Sequence, residues 1–196
     1  MSTHVPAADA GARAARHRLF LALRPDAATA ERIADFAVRL GREQGLQPAP
    51  PVTARLHVTM NYFGVFAGIP AGLAEAVHAA ATGLAIAPID VVLDRVAGFD
   101  GHCGVRPWVM LPSAASAEAL RQLYGALATR LRAHGVEGGT GRRAFTPHLT
   151  LRRAAAPLPS QAVTPIAWQA DAILLVDSRL GRGEHVVLGR WPLVPG

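Results

Sequence analysis

The sequence predicts an α+β fold of two pseudo-symmetric lobes, with two mostly antiparallel sheets, helices on the outside and a central cleft lined by two His-x-Thr strands. Three observations carry that reading. Short helical and strand patterns alternate along the chain, with crossovers too irregular for a doubly wound parallel sheet. The order strand, helix, loop, His-x-Thr strand occurs twice, with Phe20 to His57 and Met110 to His148 separated by 37 and 38 residues. In the first His-x-Thr segment, strict alternation sets Arg55, His57, Thr59, Asn61 and Phe63 on one face and Leu56, Val58, Met60 and Tyr62 on the other, as expected of a strand that lines something.

The elements follow in order. Residues 18–24 are a short apolar run stopped by Pro25-Asp26, which together end a strand and cap a helix. From residue 27 to about 43, Ile33, Phe36, Ala37 and Leu40 recur at helical spacing, and Gly45 with Pro48, Pro50 and Pro51 ends the run. Residues 55–63 form the first His-x-Thr strand, closed by Gly64. Residues 70–84 read as a helix with Leu73, Ala76, Val77, Ala80 and Leu84 inward. Residues 89–99 and 104–111 are two strands joined at Asp100-Gly101, after which Ser113 or Ser116 caps a helix carrying Leu120, Leu123, Tyr124, Leu127 and Leu131, closed by Gly135. A Gly-rich connector (Gly138, Gly139, Gly141) leads to the second His-x-Thr strand, residues 145–153, and residues 166–176 and 185–193 supply the closing strands. Residues 1–17, rich in Ala and Arg, are expected to form a disordered tail before a single domain spanning residues 18–196.

Composition narrows the chemistry. All 20 basic residues are arginine, so Schiff-base lysines and the P-loop lysine are excluded, and a net charge of +6 favours phosphate-bearing partners through long-range steering. The single cysteine, Cys103, rules out an internal disulfide framework and multi-thiolate metal sites; beside His102 it lacks further ligands, so no metal and no cofactor are expected. The Gly-x-Ser-x-Gly elbow of serine hydrolases is missing. No apolar run approaches a membrane span and no apolar association stripe stands out, so a soluble, cytoplasmic monomer is expected.

Two residues apart on a strand, a His and a Thr stand side by side and offer an imidazole and a hydroxyl to the same small object. Two such pairs facing one another make a four-point site. One imidazole can serve as base while the other, protonated, serves as acid, as an in-line displacement at phosphorus requires, and the threonines can hydrogen-bond nonbridging oxygens. The remaining histidines read as bystanders: His4 and His17 in the tail, His78 and His134 on helices, His102 and His185 in or beside turns.

Here the sequence resembles the two-histidine phosphoesterases, and within them the bacterial RNA 2',3'-cyclic phosphodiesterases, also called 2'-5' RNA ligases. The matching stretches are Arg18-Leu19-Phe20 with the following Ala-Leu-Arg-Pro, Leu56-His57-Val58-Thr59 leading to Phe63-Gly64, and Phe145-Thr146-Pro147-His148-Leu149-Thr150-Leu151. Asp177-Ser178 through Gly183, and on to Arg190-Trp191-Pro192-Leu193, looks like the family's closing hairpin. The resemblance implies a bilobal α+β fold and metal-independent opening of a terminal 2',3'-cyclic phosphate to a 2'-phosphate, with 2'-5' ligation as its reverse. It implies that His57 and His148 are the catalytic pair, that Thr59, Thr150 and Arg153 bind phosphate, and that Tyr62 stacks on the terminal base. Simple alternation sets Arg153 and Tyr62 on faces opposite the histidines, so either a bulge or twist re-aims them or Arg152 replaces Arg153. His148 is expected to activate water while protonated His57 assists departure of the ribose oxygen, although the two roles are interchangeable at this stage. The expected partners are RNA ends carrying a 2',3'-cyclic phosphate, tRNA fragments among them. A small cyclic nucleotide such as an ADP-ribose cyclic phosphate is the competing substrate, and a non-catalytic module that holds phosphorylated RNA ends is the competing function.

Overall fold

The computed structural model describes residues 16–101, 103–136 and 145–195. Most of the expected tail, the Gly-rich connector and His102 lie outside the described residues. The chain runs β1 (Arg16–Leu23), α1 (Ala27–Glu43), a 3-10 turn at Thr53–Arg55, β2 (Val58–Phe66), α2 (Leu73–Ala81), β3 (Ile89–Gly98), β4 (Arg106–Pro112), α3 (Ala114–Ala133), β5 (Leu149–Ala154), β6 (Gln161–Ala170), β7 (Ala172–Leu180) and β8 (Glu184–Pro192). Asp26 caps α1 by accepting from the backbone N–H of Thr29, and Ser113 rather than Ser116 caps α3. Ser116 is spent differently: buried, it donates to the carbonyl of Asp90 and accepts from the N–H of Val92, pinning the start of α3 to β3.

The expected pair of sheets is corrected to one. All eight strands form a single antiparallel sheet in the order β6-β3-β4-β5-β2-β1-β7-β8. The pseudo-symmetric halves survive as β6-β3-β4-β5 and β2-β1-β7-β8. They meet edge to edge at one residue pair, Val58 with Leu149. The alternation of β1 sorts the two faces. Leu21 and Leu23 join the main core with Ile33 and Leu40 of α1, Val77 of α2 and Leu120, Leu127 and Leu131 of α3, so all three helices cover one face. Phe20 and Ala22 point the other way, with Val176 and Tyr62, into a small second cluster on the uncovered face.

Other boundaries also move. β1 starts at Arg16, so Arg16 and His17 belong to the sheet rather than to a tail; His17 hydrogen-bonds the buried carboxylate of Asp177 at 2.8 Å. α2 is shorter than expected, bracketed by Gly72 and Gly83, both at positive φ. Residues 166–176 are not one strand: the ladder is interrupted at Asp171, where β6, paired with β3, gives way to β7, paired with β1. β2 runs on through Gly64, whose φ of +132° is open to glycine, and ends at Phe66.

Candidate active site

Both histidines stand one residue before a strand rather than inside it. His57 follows the 3-10 turn and precedes Val58, while His148 follows Pro147, which has no N–H to give to a ladder, and precedes Leu149. Because β2 and β5 are antiparallel and Val58 faces Leu149, His57 lies opposite Thr150 and Thr59 lies opposite His148. The four residues therefore mark the corners of a square on the face away from the helices, and a local two-fold runs through the Val58–Leu149 pair. Each histidine is held in the same way. Nδ1 of His57 donates to the carbonyl of Arg55 at 2.6 Å, and Nδ1 of His148 donates to the carbonyl of Thr146 at 2.8 Å. A carbonyl can only accept, so Nδ1 carries the proton in both rings and Nε2 is left to meet a ligand. Each ring also has an aromatic neighbour: Phe20 stacks on His57 at 4.8 Å and Phe99 meets His148 edge-on at 5.0 Å.

Two β-bulges settle where Tyr62 and Arg153 point. On β1, Ala22 faces Thr59 and Phe20 faces Tyr62, a step of two residues against a step of three on β2. On β4, Val109 faces Thr150 and Pro107 faces Arg153, again two against three on β5. The extra residue in each bulged strand restores Tyr62 to the face of Thr59 and Arg153 to the face of Thr150. Both sit three residues past a site threonine, so the two lobes present Tyr62 and Arg153 as equivalents. Arg152 goes the other way: it faces Trp108 on the core side, its guanidinium carbon 5.9 Å from that ring, and approaches the cleft from beneath α1.

A cavity of about 610 Å³ joins these groups, its wall including His57, Thr59, Tyr62, Thr150, Arg152 and Arg153. His148 is not part of the wall, but it is close enough across the seam for its charge to act on His57. Sequence reasoning missed several wall residues, Arg18, Phe20, Arg55, Ser178 and His185 among them; His185, set aside as a turn residue, lies on β8 inside the cavity wall, 5.3 Å edge-to-face from His57 and 5.7 Å from Phe20. The expected strand over residues 185–193 already held His185, but only the register of β8 against β7, which sets His185 opposite Ser178, shows which face it joins. The pKa of His57 is lowered from 6.5 to about 4, chiefly by burial, with the charges of Arg24, His148 and Arg55 adding to it against the opposing bond to the Arg55 carbonyl. Burial likewise takes His185 down to about 4, helped by His57, Arg55, Arg24 and Arg18. Both rings are neutral at neutral pH. The other bystanders stay structural: His134 is the C-cap of α3, and Nδ1 of His78 accepts from the indole N–H of Trp191 at 3.0 Å. Cys103 is exposed. Among the described residues no group of three or more His, Cys, Asp or Glu is arranged to hold a metal ion, and no helix is long and apolar enough to cross a membrane.

A two-fold pair of imidazoles and hydroxyls at the seam of a bilobal antiparallel sheet is the arrangement of a two-histidine phosphoesterase. A family model described as the 2'-5' RNA ligase superfamily matches residues 22–182, and the chain belongs to that family. Among solved structures, LigT of E. coli in its apo form superposes with a TM-score of 0.70 at 22% identity, over 92% of this chain and 99% of that one. LigT complexed with 3'-AMP gives 0.69 at 22% identity, over 91% and 98%. The protein TT0787 of Thermus thermophilus gives 0.68 at 23% identity, over 91% and 98%. No curated protein matches. The family and the LigT-like fold make this chain a phosphoesterase of the 2'-5' RNA ligase and cyclic phosphodiesterase type.

Proposed function

We propose that this phosphoesterase opens the terminal 2',3'-cyclic phosphate of RNA to a 2'-phosphate by acid-base catalysis between His57 and His148, with 2'-5' ligation following when the 5'-hydroxyl of a second strand attacks phosphorus in place of water. The observation that carries the reading is the square at the seam, where strand register sets two imidazoles of fixed tautomer and two threonines on one face of the sheet. Thr59 and Thr150 bind the nonbridging oxygens, and Arg153, turned inward by its bulge, neutralises the charge that grows on them. Tyr62, on the same face as Thr59, offers a ring for the terminal base. The 3'-AMP bound by LigT fits a nucleotide of this kind.

The assignment of acid and base follows from His57. A ring whose pKa sits at about 4 is unprotonated near neutrality, so His57 takes the role of base, which exchanges the roles expected from the sequence. Nε2 of His57 accepts a proton from water as the water oxygen attacks phosphorus; the P–O3' bond breaks, and protonated His148 delivers a proton to the departing O3'. The phosphate remains on O2'. The cavity volume also suits a lone cyclic nucleotide, which keeps a small substrate as the second reading.

The test is a short RNA ending in a 2',3'-cyclic phosphate, incubated with the protein in the presence of EDTA. The expected product is the 2'-phosphate, with turnover reduced about 10²- to 10⁴-fold in His57→Ala and in His148→Ala. Turnover only of a cyclic mononucleotide selects the second reading, and binding of the RNA end without turnover of either selects a holding module.

A further inference from the structure

Beyond His57, away from the seam, the uncovered face carries a row of polar groups that the reaction at the seam leaves unused. Arg18 of β1 faces Ser178 of β7, which faces His185 of β8, so the three lie side by side across adjacent strands, and all three belong to the cavity wall. Arg55 lines the same end. Arg24, the residue just past the end of β1, is close enough for its charge to reach both His57 and His185.

Two features mark this end as built for an anion. Among the described residues Arg18, Arg24 and Arg55 make no ion pair, and the nearby acids are engaged elsewhere: Asp177 with His17 and Arg179, Glu184 with Arg179. Three polar atoms there are buried without partners, namely Nε and Nη2 of Arg24 and Nδ1 of His185. Buried polar atoms are ordinarily paired, so such a cluster beside a cavity calls for a ligand that supplies the missing charge. The tautomer of His185 follows. Its neutral ring places the single proton on Nε2, the nitrogen free to meet a partner, and leaves a bare lone pair on the orphaned Nδ1. His185 thus presents an N–H donor to the cavity beside three guanidinium groups.

We infer that Arg18, Ser178 and His185, backed by Arg24 and Arg55, form a second phosphate subsite that takes the phosphate on O5' of the terminal nucleotide, while the cyclic phosphate lies between the histidines. The inference rests on the proposed reaction and deepens it, since a nucleotide inside an RNA strand always carries a phosphate on O5' and a free cyclic nucleoside phosphate does not. Arginine recognises phosphate through a planar fork of donors, and the Ser178 hydroxyl and the His185 N–H complete a shell around the oxygens.

The experiment compares adenosine 2',3'-cyclic phosphate with the same compound bearing a 5'-phosphate, and in parallel measures binding of adenosine 2'-phosphate and adenosine 2',5'-bisphosphate by calorimetry. The 5'-phosphate is expected to improve kcat/KM and binding by about tenfold or more, as charged hydrogen bonds do. In Arg18→Gln, whose side chain is exposed and whose loss leaves the core intact, and in His185→Gln, that ratio should fall towards one. Equal kcat/KM for the two cyclic compounds, or a ratio unchanged in both variants, overturns the subsite while leaving the reaction standing. If neither compound is turned over, the proposed reaction fails, and the binding ratio still decides the subsite: a preference for the bisphosphate that Arg18→Gln abolishes supports it, and no preference overturns it.

Discussion

The environment of His57 can be read out through its proton. Phe20 covers one face of the ring at 4.8 Å and His185 meets it at 5.3 Å, and burial is the largest cause of the fall in its pKa from 6.5 to about 4. Replacing Phe20 by Leu keeps an apolar side chain but opens the ring to water, so the His57 pKa should climb back towards 6.5. If His57 is the base, the acid limb of the kcat/KM profile falls near pH 4 in the parent protein and moves upward in Phe20→Leu. The same shift should appear when the imidazole carbon protons are titrated by NMR in the absence of substrate. The shift also couples to stability. Because the folded pKa of His57 and of His185 lies below the unfolded value, the unfolded chain binds more protons between pH 6.5 and 4, and stability drops as pH falls through that window. At about 1.4 kcal/mol per unit, discounted for the part-exposed rings, the two together withdraw roughly 3 kcal/mol on going from about pH 7 to about pH 4. Urea midpoints across that range measure it. An acid limb near 6.5 in the parent protein, or one that Phe20→Leu leaves in place, refutes both the desolvation argument and the role of His57 as base.

Three further outcomes are expected. Arg153→Ala should raise KM and lower kcat together, whereas Arg152→Ala, which also loses its contact with Trp108, should show mainly as a lower melting temperature; steady-state kinetics and thermal melts separate them. Arg130 of α3 donates to the carbonyls of Ala80 and Thr82 at the end of α2, and Arg130→Ala should cost about 2 kcal/mol in chemical denaturation. Ser116→Ala removes two buried hydrogen bonds between α3 and β3 and should cost about 1–2 kcal/mol by the same measurement, with kcat unchanged.

Much of this architecture is legible in the sequence. Helix α1 was visible in its spacing and its Asp26 cap, and the duplicated strand, helix, loop and His-x-Thr order pointed to two related halves. The sheet count was not, because a one-pair seam between two edge strands leaves no mark on hydrophobic periodicity. Bulges are equally silent: Tyr62 and Arg153 stand on the wrong parity from their threonines, and only a register against a neighbouring strand reveals the extra residue. His185 escaped notice because a histidine beside a glycine-rich turn looks solvated until the chain folds its strand onto Phe20. Asp171, a single polar residue between two apolar runs, was too slight a break to divide β6 from β7.

The lone Val58–Leu149 pair has a mechanical consequence. Along the rest of the sheet, ladders of backbone bonds fix one strand against the next, but across the line where the histidines meet there is almost no ladder. Apart from the main chain itself, which passes from β6 to β7 through Asp171, what spans that line is helical: α1, whose sequence leaves β1 in one half, packs beneath β5 and β6 of the other, and α3 reaches from β3 and β4 across to β2. The gap between the two imidazoles is therefore gauged by side-chain volume on the far side of the sheet, as the jaws of a pair of pliers are gauged by the pivot behind them. A methyl or two added at Ala37, which lies on α1 at the floor of the cavity, acts on that pivot, and the span between acid and base becomes a property of the core.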